Sequence, residues 1–312
     1  MKISRLSWAP LVALAAVACS TEVASESPAD APAGTVTASE KAQIIEQFAE
    51  RVHARWDLTI RQSDYDVVTT RRGPLIMDRE AMAARRETEG DSEEPTVVTS
   101  QVTIPSTERM KQEIADGRTT FQEGVQWREP KCMARLGDKD GEGWMDICYQ
   151  QGYMDYAAKT RDNWAWRWYG SCAPVEGGPD HMEMDECYIR LWQNENVDPR
   201  IVWNAWDPQA TVNLPDCGDV SMSVTAGPVS AGQSIHTCEK LVPKKGVKAG
   251  DMQATWIGDA YWAEDVRGVG FMVSIGIPFG EPEAKMTYYY QWGYKYSMCN
   301  LPPSAFDQCD VF

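Results

Sequence analysis

Hydrophobic positions change their spacing once along the chain. Over residues 39–56, Ile44, Ile45, Phe48, Val52 and Trp56 recur every three or four residues, which predicts an amphipathic helix. Thr37 and Glu40 have the spacing of a capping box ahead of it. Residues 105–117 predict a second, shorter helix, with Pro105 suited to its first turn. From residue 143 the period becomes two, the signature of half-buried strands. Strands are expected at 143–157, 163–172, 183–193, 200–206, 219–225, 233–242, 252–263, 268–278 and 285–298, with prolines and glycines in the gaps.

Two strand pairs stand out. Segments 143–157 and 163–172 read as a hairpin, with Trp164, Trp166, Trp168 and Cys172 on one face. A register in which paired numbers sum to about 320 sets Cys148 opposite Cys172. In the last two strands, Val269, Phe271, Val273, Ile275 and Ile277 share one face, as do Met286, Tyr288, Tyr290, Trp292, Tyr294, Tyr296 and Met298. Alternation this long suits either a sandwich strand or a membrane-inserting β-hairpin.

Composition divides the chain near residue 120. Residues 20–120 hold only Phe48, Trp56 and Tyr65 as aromatics, while 121–312 hold 27 aromatics and eight of the nine cysteines. The reading is therefore a signal peptide (1–18), a flexible Ala/Pro/Ser/Glu-rich tether (19–36), a helical or mixed region (37–120) and a disulfide-rich β-domain (121–312). The fold class expected is mainly β: an antiparallel β-sandwich or distorted barrel with disulfides, preceded by a small helical N-terminal region. Spacings of 39 to 40 residues between Cys132 and Cys172, Cys148 and Cys187, and Trp164 and Trp203 suggest a two-copy internal repeat.

Lys2 and Arg5, an apolar run and small residues before Cys19 resemble a bacterial lipoprotein signal. That resemblance implies lipidation at Cys19, export, and an outer-membrane lipoprotein facing the periplasm or the cell surface. Losing Lys2 and Arg5 would move the net charge from −16 to −18. So acidic a chain is a poor partner for nucleic acid. Export makes Cys132, Cys148, Cys172, Cys187, Cys217, Cys238, Cys299 and Cys309 candidates for up to four disulfides. Cys148–Cys172 competes with the sequential pairs Cys132–Cys148 and Cys172–Cys187. With no CxxC and three histidines, zinc is the weaker use of these thiols.

Asp138, Asp140, Glu142 and Asp146, with Gly141 between them and Cys148 two residues beyond, resemble a thrombospondin type 3 calcium loop. The resemblance implies Ca2+ held by those four carboxylates; the plainer alternative is an acidic turn closed by a disulfide. The acidic run Asp180 to Glu186 with His181 reads as a surface loop. No GxSxG elbow, P-loop or GxGxxG occurs, and His236 lies near Ser234 without a triad pattern. Trp164, Trp166, Trp168 and Trp203, with Trp192 and Trp206, suit sugar stacking if they face a cleft and a sheet core if they do not. Three functions follow: a cell-envelope binding or structural protein, glycan- and calcium-binding, with a glycan or envelope protein as partner; a polysaccharide hydrolase with a carboxylate pair in a Trp-lined cleft; or a membrane-acting β-hairpin protein.

Overall fold

The computed structural model describes residues 36–70, 73–79, 98–135, 143–156, 160–174, 182–192, 199–246 and 251–296. They belong to one compact unit. The architecture is mainly β, with antiparallel sheets, an N-terminal helix and, among the described residues, three disulfides.

Helix α1 (Ala38–Trp56) starts at the expected capping box, with Thr37 accepting from the Glu40 N–H and the Glu40 side chain accepting from the Thr37 N–H. It buries Ile45, Phe48 and Val52. Helix α2 (Thr107–Ala115) is capped by Ser106, so Pro105 precedes the cap instead of lying in the first turn.

Two large sheets pack face to face. Sheet A runs β1 (Tyr65–Thr70), β2 (Gly73–Asp78), β6 (Lys131–Arg135), β7 (Gly143–Met154), β8 (Arg161–Pro174), β16 (Arg267–Pro278), β10 (Val202–Asp207). β5 (Val125–Arg128) also pairs with β7 and carries β4 (Thr119–Gln122) beside it. Sheet B runs β11 (Val212–Asn213), β14 (Lys240–Lys245), β15 (Met252–Ala260), β9 (Met182–Trp192), β17 (Ala284–Tyr296), β3 (Val98–Ile104). A third sheet has two strands, β12 (Gly218–Ala226) and β13 (Val229–Thr237).

Several expectations change. The aromatic boundary at residue 120 is no break in the fold: β1 and β2 extend sheet A and β3 borders sheet B. None of these three strands shows a clean alternation: Asp and paired Thr break it in β1, Leu75, Ile76 and Met77 run together in β2, and Thr, Ser and Gln dominate β3. The expected strand 233–242 is two strands, parted at Cys238 and Glu239, where Glu239 takes a left-handed backbone (φ 52°). Strands β16 and β17 do not pair with each other; they enter different sheets, so the last pair is not a hairpin.

The β7–β8 hairpin forms, but its paired numbers sum to 317, not 320. The odd shift sends the two cysteines to opposite faces. Cys148 lies on the outer face of sheet A and bonds Cys132 on β6. Cys172 faces inward and bonds Cys187 on β9, tying the two sheets together. Cys217–Cys238 closes the base of the β12–β13 hairpin. The first two bridges thus differ in kind, one within a sheet and one between sheets. Cys299 and Cys309 lie outside the described residues.

Candidate functional site

The inner face of β8 positions the predicted tryptophans. Trp164, Trp166 and Trp168 stand opposite Ile275, Val273 and Phe271 of β16, and each is 0% exposed. Trp168 is stacked between Tyr149 and Phe271, with ring centroids 4.8 and 5.8 Å away. These three are sandwich core, not a ligand platform or the wall of a cleft. Aromatics alternating on a central strand are buried because a second sheet covers that face.

Trp203 behaves differently because it lies on β10, the edge of sheet A. A bulge at Asn204 lets Trp203 stand opposite Ile275 and Trp206 opposite Val273. Residues three apart normally point to opposite faces of a strand; the extra residue returns both indoles to the same one. Their rings meet edge to face at 5.8 Å and both are half-buried. The Lys245 ammonium, from β14 of the opposite sheet, sits 4.2 Å from the Trp206 ring. This edge carries an aromatic pair with a cation beside it, whereas Asn204 and Asp207 bond on the other side of the sheet, Asn204 to Asn163 and Ser274 and Asp207 to the Ser223 N–H. No sequence signal marks the bulge, so Trp203 and Trp206 do not read as partners from spacing alone. The side chain of Trp192 lies outside the described residues.

Of the candidate calcium ligands, Asp138, Asp140 and Glu142 lie outside the described residues. Asp146 is 0% exposed on the outer face of β7. Arg51 reaches it from α1 at 3.1 and 3.3 Å, and Arg55 at 2.7 Å. Arg55 also donates to Ser171 Oγ at 2.8 Å and lies 4.6 Å from the Trp144 ring. Burial lowers the Arg55 pKa, opposed by the attraction of Asp146. Asp146 therefore clamps α1 to the sheet, and calcium there would have to displace two guanidinium groups. Among the described residues no group of three or more His, Cys, Asp or Glu is placed to hold a metal ion. His236 pairs with Asp219 at 2.9 Å, while the Ser234 hydroxyl donates to the Val220 carbonyl, so Ser234 is not aligned with His236. Of the acidic run expected as a surface loop, Met182 to Glu186 lie instead within β9, and Asp180 and His181 are outside the described residues.

A polar groove of about 40 Å³ is lined by Arg109, Glu113, Arg118, Arg128, Glu129 and Lys131. Its charges answer one another: Arg128 and Arg109 bind Glu113 at 2.6 and 3.2 Å, and Arg61 and Arg118 bind Glu129. The groove joins α2 to β5. Burial raises the Glu113 carboxyl, but hydrogen bonds and charge from Arg128 and Arg109 outweigh it and hold the carboxyl below its ordinary value. A depressed carboxylate stabilises the fold above its unfolded pKa, and that contribution fades as pH falls through the lower folded pKa. Glu113→Gln is accordingly expected to unfold more readily than the native chain at neutral pH, the difference closing on acidification below about pH 4. Thermal melts across pH 2 to 7 measure it.

No protein-family model matches the chain, and no curated protein matches its sequence. Among solved structures it is similar to Clostridium perfringens delta-toxin at 8% identity and a TM-score of 0.23, over 75% of this chain and 89% of that one. It is similar to Clostridium perfringens NetB toxin, in the membrane-inserted form, at 6% identity and a TM-score of 0.17, over 65% and 92%. Scores this low do not establish a shared fold. No described helix is long and apolar enough to cross a membrane.

Proposed function

We propose that the protein is an exported, lipid-anchored binding protein of the cell envelope that holds glycan on the Trp203–Trp206 edge. The observation carrying this reading is the bulge at Asn204, which sets two half-buried indoles side by side at an open sheet edge. Indole faces stack on the apolar faces of sugars, and the Lys245 ammonium beside Trp206 offers donors to sugar hydroxyls. The signal-like N-terminus ending at Cys19 and the disulfide-rich fold both suit export.

The test is calorimetric titration of the full chain with a panel of soluble envelope-polysaccharide fragments. At least one is expected to bind, with Trp203→Ala and Trp206→Ala each weakening it about tenfold, the worth of one lost stacking contact of about 1.4 kcal/mol. Absence of heat across the panel, or unchanged affinity in both variants, would overturn the reading.

A further inference from the structure

The β12–β13 hairpin differs from every other described strand pair in how it is held. No backbone ladder joins it to either large sheet among the described residues. It lies on the outer face of sheet A, where Gly268 and Gly270 of β16 leave room for it: a Cβ on Gly268 would strike the His236 carbonyl oxygen. Its polar ties to the sheets are few. Gln233 Nε2 donates to the carbonyls of Trp168 and Phe271 at 3.3 and 3.1 Å. Thr237 Oγ1 donates to the Gly268 carbonyl at 2.6 Å, and Asp207 accepts from the Ser223 N–H at 2.8 Å.

The outer face of sheet A and the hairpin on it bury several polar atoms. Gln233 Oε1, Arg167 Nε and Trp127 Nε1 are buried without a hydrogen-bond partner among the described residues. Arg167 and Trp127 stack on each other, 3.7 Å from guanidinium carbon to ring centre, on this same outer face. A buried polar group without a partner opposes the packing that buries it, and water relieves that cost. Lifting the hairpin would bring water to Gln233 Oε1, which sits on its sheet-facing side.

The hairpin's chemistry is also unusual. Its sheet-facing side carries Val220, Met222, Val224, Ala226, Val229, Ala231 and Ile235, with Gln233 the one strongly polar side chain among them. Its solvent side carries Ser221, Ser223, Thr225, Ser230 and Ser234. Residues 220–235 hold no charged residue, where the chain's average of 24% would place about four. Charges appear only at the base, where Asp219 pairs with His236 beside Cys217–Cys238. A hairpin that merely covers a sheet explains the apolar side. It does not explain the uncharged solvent side, since exposed strand edges are ordinarily guarded by charge.

We infer that β12–β13 is a releasable hairpin that inserts into a lipid bilayer. Its apolar side would turn from sheet A to the acyl chains, and its Ser/Thr side would face a polar lumen. Nine residues in each strand extend about 30 Å, or about 23 Å at the usual barrel tilt, close to the height of the apolar band. An uncharged tip at Gly227 and Pro228 can cross that band. Open strand edges are not stable in lipid, so insertion requires about four copies or more to close a barrel of about eight strands. This inference is independent of glycan binding at the Trp203–Trp206 edge.

The test uses the full chain on dye-loaded phosphatidylcholine/phosphatidylethanolamine vesicles, uncharged overall so that the acidic protein is not repelled. Dye release is expected, together with a blue shift from a polarity-sensitive probe on Val229→Cys at the hairpin tip. Gln233→Leu removes two docking hydrogen bonds and the strongly polar group on the lipid-facing side, so it should release dye several-fold faster. Val224→Asp should abolish release, whereas Ser223→Asp on the opposite side should retain it. If the folded native chain and Gln233→Leu both leave the vesicles intact with no probe shift, the inference fails. Equal release from Val224→Asp and the native chain would also overturn it.

Discussion

Asp146→Ala is expected to cost about 3 kcal/mol of stability, read as a lower urea midpoint with loss of helical signal from α1. The carboxylate is wholly buried and answers Arg51 and Arg55 together. Removing it leaves two like charges side by side against the sheet with nothing opposite. The loss belongs at the low end of the range for broken buried pairs, because the arginines keep 29% and 24% of their side-chain surface in water. Asp146→Asn keeps the shape and part of the hydrogen bonding, so it should fall between the two. A midpoint in Asp146→Ala equal to the native one would show that α1 docks through Phe48 and Val52 alone.

Trp168→Ala is expected to cost about 3 to 5 kcal/mol. The indole is 0% exposed and stacks on Tyr149 and Phe271 in the middle of the sandwich, with no surface to collapse into. Trp203→Ala, at the half-buried edge, should cost clearly less. The two variants separate a core role from a binding role: Trp168→Ala lowers the melting temperature sharply, while Trp203→Ala acts mainly on ligand affinity. Similar melting shifts in the two would mean that the β10 edge is as much a part of the core as β8.

The strands legible in the sequence were those buried on one or both faces with clean alternation: β7, β8, β9, β12, β15, β16 and β17. The expected bounds fall within a few residues of those observed. Helix α1 was legible from its stripe and its capping box, both local signals. Strands β1, β2 and β3 were missed because they draw their stability from neighbours distant in sequence. β1 and β2 reach sheet A through β6, and β3 lies beside β17. The bulge on β10 was equally silent, since it is visible only in the pairing of β10 with β16.

By itself, the sequence determined the antiparallel β class, the amphipathic faces and the cysteine supply, because period, caps and turn residues act over a few positions. Which faces became core was decided only by the tertiary structure. A strand shows two sides to its own residues, and burial depends on what the rest of the chain lays over each. Sheet B covered Trp164, Trp166 and Trp168, whereas β10, the edge of sheet A among the described residues, left Trp203 and Trp206 half-buried. A three-residue difference in the β7–β8 register sent Cys148 and Cys172 to separate partners. It was likewise tertiary packing that parted β16 from β17 and left β12–β13 as the hairpin standing apart from both sheets.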